Sequence, residues 1–275
     1  MKQRKVFFLS DGTAITSEHF GKSVLSQFPD IKFITETMPF INTSDKACAA
    51  CEHINKSFKE TNTLPLVFMT VVSDEIVDIL KKCNAINYPL FEYLIKPLEQ
   101  ELQIKSAHKI GKFRSIGKVK HYKNRLDIID FALKTDDGVN FNHYADAEII
   151  LLGASRVGKT PTCLYLAMHY QIRAANYPIT DNELNSQKLP SILQPWKDKC
   201  FGLTINPMQL SQIREERLPN SHYAEISQCK FEISQVESMY FLNRIPSINT
   251  SNTSIEEISS EIINRANLSH QKHKF

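Results

Sequence analysis

Apolar residues recur along the chain in two rhythms. Residues 6–9, 31–34, 66–72, 147–152 and 201–205 are short, nearly continuous apolar or β-branched runs, the pattern of buried strands. Between them the spacing widens to a helical period, with Phe20, Val24, Leu25 and Phe28 marking one face over 16–28. Helical segments also cover 44–58, 74–82, 122–134, 159–170 and 229–243, and 90–102 is amphipathic with Pro97 inside it. Punctuation agrees with this reading. Gly138 follows one helix, Asn206-Pro207 opens another, and Ser254 with Glu257 forms a capping box. The alternation predicts an α/β fold, helices laid on the faces of a sheet.

At 275 residues the chain has room for two modest domains. Residues 1–104 read as an N-terminal α/β domain, 105–120 as a basic connector, and 121–275 as a second domain. Lys105, Lys109, Lys112, Arg114, Lys118, Lys120, Lys123 and Arg125 lie in the connector or just beyond it. This charge reads equally as a solvated linker or as a surface for phosphate or an acidic partner. Lys plus Arg is 33 and Asp plus Glu is 30, a net charge of +3, which points to neither nucleic acid nor membrane as a partner. No apolar run approaches the roughly 18–20 residues of a membrane span. The run after Met-Lys-Gln-Arg-Lys is too short for a secretory signal, so a cytoplasmic location is the default. The six cysteines are too dispersed for a disulfide framework. Cys48 and Cys51, near His53, read as neighbours on one helical turn, because a zinc site lacks its second ligand pair.

The chain has only 8 glycines, and two of them frame Gly153-Ala154-Ser155-Arg156-Val157-Gly158-Lys159-Thr160. This is the Gly-x-x-x-x-Gly-Lys-Thr pattern of a P-loop. Glycines let such a loop curl its N–H groups toward phosphate oxygens, and the following helix aims its positive end at the same anion. Lys159 would reach the terminal phosphate, and the Thr160 hydroxyl would hold Mg²⁺. The second domain therefore reads as a P-loop nucleotide-binding domain, with a site that kinase-like enzymes, hydrolases and switches all use.

A carboxylate should complete the metal site or act as base. Asp136, Asp137 and Asp11 are the candidates, while Asp74 and Asp146 also flank apolar runs. Asp136-Asp137-Gly138 and Asp11-Gly12-Thr13 read equally as turns. Arg214 and Arg217, one helical turn apart, suit either phosphate or an exposed charged face beside Glu215 and Glu216.

Further strings join the P-loop in one order: Phe8-Leu-Ser-Asp-Gly-Thr-Ala-Ile-Thr, Met38-Pro-Phe-Ile, Asp136-Asp-Gly, Ala174-Ala-Asn-Tyr-Pro, Phe201-Gly-Leu-Thr-Ile-Asn-Pro and Ile213-Arg-Glu-Glu-Arg-Leu-Pro-Asn-Ser. Over nearly its whole length the chain resembles the bacterial kinase–pyrophosphorylase regulators of phosphoenolpyruvate synthase. The resemblance implies ADP-dependent phosphorylation of a target threonine, which inactivates the synthase. It also implies removal of that phosphate by inorganic phosphate, with release of pyrophosphate. Gly153–Thr160 carry over as the ADP site. The family pattern often has His before Asp-Asp-Gly; here Thr135 stands in that place. Asp137 is nominated as the acid–base group on its position, with Asp136 and Asp11 as rivals. The same chemistry on pyruvate, phosphate dikinase, a small-metabolite kinase or hydrolase, and a non-enzymatic nucleotide switch are the alternatives. A homo-oligomer stays open.

Overall fold

The structure, a computed structural model, describes residues 2–107, 119–138 and 140–268. Most of the basic connector therefore lies outside the described residues. The chain divides into two compact units, residues 1–116 and 117–275. Among the described residues no helix is long and apolar enough to cross a membrane.

The first unit is built on β1 (Lys2–Ser10), β2 (Ile31–Met38), β3 (Leu66–Thr70) and β4 (Ile86–Pro89). All pair in parallel, in the order β2-β1-β3-β4. Its helices are α1 (Ile15–Leu25), α2 (Ser44–Thr61), α3 (Asp74–Leu80) and α4 (Leu90–Leu102). Side chains alternate across β1. Phe7 and Leu9 pack with Ala47, Ile54, Ile76 and Leu80, whereas Val6 and Phe8 pack with Leu25 and Phe68. Both faces are covered, which is why the run is apolar throughout. The face toward α1 and α4 is less filled. A groove of about 880 Å³ remains there, lined in part by Phe20, Phe28, Phe33, Tyr88 and Tyr93.

Two cysteines depart from the sequence expectation. Cys51 on α2 and Cys83 beyond α3 form a disulfide, with Cα atoms 5.2 Å apart. Helices α2 and α3 share one core, which brings together positions 32 apart in sequence. Periodicity places Cys51 on one helix and Cys83 just past another but does not show which helices meet. Cys48 does lie on α2 as expected, free and exposed.

The second unit repeats the same winding. Strands β5 (Ile149–Gly153), β6 (Ala174–Pro178), β7 (Cys200–Thr204) and β8 (Ser247–Asn249) are parallel, in the order β6-β5-β7-β8. Helices α5 (Val119–Lys134), α6 (Lys159–Tyr165, continued as a π-helical turn over Leu166–Tyr170), α7 (Asp181–Leu184), α8 (Pro207–Arg217), α9 (Ile226–Asn243) and α10 (Ile255–Arg265) complete it. The expected caps form. The Asn206 side chain accepts the Met208 N–H at 2.8 Å, and Ser254 and Glu257 exchange hydrogen bonds. Every residue of β5 and β7 is buried. The Tyr240 hydroxyl from α9 reaches the carbonyls of Leu152 and Leu203 at 3.1 and 3.2 Å, tying that helix to both strands. Gly202 makes room for it: a Cβ there would lie 2.5 Å from the tyrosine ring.

Candidate active site

Buried β5 leads through the loop 154–158 directly into α6. At the loop's root, a Cβ on Gly153 would lie 2.7 Å from the Leu203 carbonyl oxygen. Gly158 has a φ of +95°, which glycine adopts without strain. The N–H groups of Ser155, Arg156 and Gly158 donate to no backbone acceptor among the described residues. Lys159 and Thr160 begin α6, where N–H groups have no partner within the helix. These donors and the helix's positive end make a chemically suitable cradle for a phosphate group.

Lys159 is 5% exposed, and its Nζ donates to the carbonyls of Gly153 and Ala154 at 3.1 and 2.9 Å. Burial pulls its pKa down to about 8; the nearby Asp137, Cys163 and Asp136 oppose that shift.

The turn after α5 supplies the carboxylates. Thr135 is fully buried, and its hydroxyl donates to the Phe131 carbonyl at 2.9 Å. Its own carbonyl accepts the Asn176 N–H at 3.3 Å, fastening the turn to β6. Asp137 and Gly138 then take left-handed conformations, φ 49° and 70°, which Asp tolerates and Gly adopts freely. Asp136 Oδ1 accepts from the Thr160 hydroxyl at 2.8 Å and from the Asn176 side-chain amide. That amide also donates to Thr160 Oγ1 at 3.1 Å. Asn176 is fully buried, and its Oδ1 has no hydrogen-bond partner among the described residues. Asp137 is exposed and has no hydrogen-bond partner among the described residues.

Among the described residues no group of three or more His, Cys, Asp or Glu is placed to hold a metal. A Mg²⁺ ion needs no such cage, since one or two carboxylates, a hydroxyl and substrate phosphates serve it. The all-oxygen set of Asp136 and Thr160, with the orphaned Asn176 oxygen beside it, fits that chemistry.

Comparison with known proteins identifies the wider group. The model of the Kinase/pyrophosphorylase family matches residues 6–263. The chain belongs to this family, a group of kinase-type enzymes. It is 48% identical over 266 residues to a protein of Legionella pneumophila (strain Corby), covering 97% of this chain and 98% of that one. It is 46% identical over 261 residues to a protein of Stutzerimonas stutzeri (strain A1501), covering 95% and 96%. It is 44% identical over 261 residues to one of Pseudomonas aeruginosa (strain LESB58), covering 95% of each. All three carry the name "Putative phosphoenolpyruvate synthase regulatory protein".

Within this family member, Gly153–Thr160, Asp136 and Asp137 come together in the second unit. Asp11 belongs to the first unit. Its carboxylate accepts the Val72 N–H at 2.8 Å, joining the ends of β1 and β3. Burial raises its pKa, with that N–H opposing. Asp74 likewise belongs to the first unit, at the start of α3, and Asp146 lies at the end of β5 opposite the loop. Neither strand flanking β5 ends in an aspartate, so Asp136 arrives from the turn before β5 instead. Arg217 is exposed, but Arg214 fits neither sequence expectation: it is 0% exposed and paired with Glu232. Asn176 is the residue that sequence reasoning missed. Its signal in the sequence is a lone amide in the short run 174–178.

Proposed function

We propose that this protein is a bifunctional regulator of phosphoenolpyruvate synthase. In one direction it transfers the β-phosphoryl group of ADP to a threonine of the synthase. In the other it moves that phosphoryl group onto inorganic phosphate. The observation that carries the reading is the loop 153–160, several of whose N–H groups donate to no backbone acceptor among the described residues, set beside the Asp136–Thr160 pair. The family description and the relatives' names support the synthase as the target and a kinase-type reaction.

In the forward direction the threonine oxygen forms a bond to the β-phosphorus, the β-phosphorus–bridging oxygen bond breaks, and AMP leaves. In reverse, a phosphate oxygen attacks the phosphothreonine phosphorus, the bond to the threonine oxygen breaks, and pyrophosphate leaves. The loop N–H groups and Lys159 hold the diphosphate in both cases. Asp136 and Thr160 would hold Mg²⁺, which when bound neutralises charge on the phosphate oxygens. Asp136 is already engaged by Thr160 and Asn176. Asp137, exposed and without a hydrogen-bond partner among the described residues, is the group placed to take the threonine proton in one direction and return it in the other.

The decisive experiment is intact-mass spectrometry of a phosphoenolpyruvate synthase phosphorylated on its catalytic histidine. It is incubated with this protein and ADP or ATP. The expected result is an acid-stable gain of one phosphate with ADP, reversed by inorganic phosphate with release of pyrophosphate. No gain with either nucleotide would reject the proposed target. Asp137→Ala should slow both directions together; slowing of one alone would reject a shared base.

A further inference from the structure

Arg214 is a fully buried cation directly behind the loop. Its guanidinium meets Glu232 as a fork, Nη1 to Oε1 at 2.8 Å and Nη2 to Oε2 at 2.6 Å. Nη1 also donates to the Tyr223 carbonyl at 3.0 Å, and Nη2 to the Ser155 carbonyl at 3.1 Å. The Tyr223 ring stacks on the guanidinium at 4.0 Å, and its hydroxyl donates to Ser155 Oγ at 2.8 Å. Ser155 is thus held through both its carbonyl and its side chain.

The next residue shows why such a hold matters. Arg156 has a φ of +78°, uncommon for a residue with a long side chain. A backbone in that region persists where its surroundings over-determine it. Here they do so on both sides. Arg214 and Tyr223 fix Ser155 before it, and the Thr250 hydroxyl donates to the Val157 carbonyl at 3.2 Å after it. Because the trans peptide is planar, fixing the Ser155 carbonyl toward Arg214 points the Arg156 N–H the opposite way, away from Arg214.

We infer that Arg214, oriented by Glu232 and capped by Tyr223, is a positioning residue that pre-sets the apex of the loop for a diphosphate without touching it. The inference rests on reading residues 153–160 as the phosphate site. It differs from a phosphate-binding arginine, because burial and the Glu232 fork leave the guanidinium no path to the ligand.

Two variants test it. Tyr223→Phe keeps the ring over the guanidinium and removes only the hydroxyl to Ser155. Arg214→Lys keeps a charge for Glu232 but cannot span both Glu232 and the Ser155 carbonyl. Binding of ADP and of pyrophosphate, each with Mg²⁺, is measured by titration calorimetry, alongside thermal unfolding of the unliganded protein. Expected are dissociation constants for both probes weaker by about threefold in Tyr223→Phe and about tenfold in Arg214→Lys. KM for ADP should rise correspondingly while kcat at saturation stays near wild type, the signature of lost uniform binding. Wild-type affinity in both variants would overturn the inference. So would a lowered melting temperature with unchanged KM in Tyr223→Phe, which marks a structural role alone. If the wild-type protein itself binds neither probe, the phosphate-site reading fails instead.

Discussion

The Thr160 hydroxyl donates to Asp136 Oδ1 across 2.8 Å, joining the first turn of α6 to the turn after α5. Asn176 donates to both partners, so their geometry is set before any ligand arrives. Asp136→Asn keeps an acceptor for Thr160 and removes the charge. The expected outcome is a fall of about 10²-fold or more in AMP formation at a fixed Mg²⁺ concentration. The melting temperature should move by no more than about 4 °C. A Mg²⁺ titration of the rate checks this, and an unchanged curve would remove Asp136 from the metal-binding role.

Lys159 supplies a pH dependence. In the free protein it loses its proton near pH 8, whereas a bound diphosphate would hold the proton on it. Between about pH 8 and 10, ADP binding should therefore take up a proton and weaken as pH rises; near pH 7 neither effect is expected from this group. Calorimetry in buffers of different ionisation enthalpy measures the uptake. The unliganded protein should show the opposite slope. Its unfolded lysine still binds a proton in this window and its folded lysine does not, so this group makes stability rise with pH there.

Two glycines should respond differently to alanine. At Gly202 the new methyl would press on the ring of buried Tyr240, and a loss of about 1–3 kcal/mol is expected. At Gly12 the nearest atom to a Cβ is Ser10 Oγ at 3.8 Å, so the change should stay within about 0.5 kcal/mol. Urea unfolding of both variants decides the matter.

Breaking the Cys51–Cys83 disulfide, by reductant or by Cys83→Ser, should destabilise the first unit by about 2–4 kcal/mol. Tyrosine fluorescence cannot separate the two units, but hydrogen exchange resolved by peptide can.

Five strands were legible because each is an apolar run against a polar background. β4, β6 and β8 were not. Ile86–Pro89 and Ser247–Asn249 are short edge strands rich in polar residues or closed by proline, and Ala174–Pro178 contains no β-branched residue. Their strand character comes from the neighbour each pairs with, not from local preference. The loop at the site was legible because its donors belong to the backbone of consecutive residues. The Asn176 and Glu232 contacts were not, since each joins segments far apart in sequence, 40 residues for Asn176–Asp136 and 18 for Arg214–Glu232. The Cys51–Cys83 pairing was hidden for the same reason.

Each of the two sheets draws all its strands from one uninterrupted stretch of chain. This matters during synthesis. The whole of the first sheet has been synthesised once β4 is translated, before any residue of the Gly153–Thr160 loop exists. The nascent chain can close its first core without waiting for a distant strand, and no pairing partner of the second sheet is held in reserve upstream. Premature termination beyond residue 116 would thus release a chain whose first unit has every strand it needs.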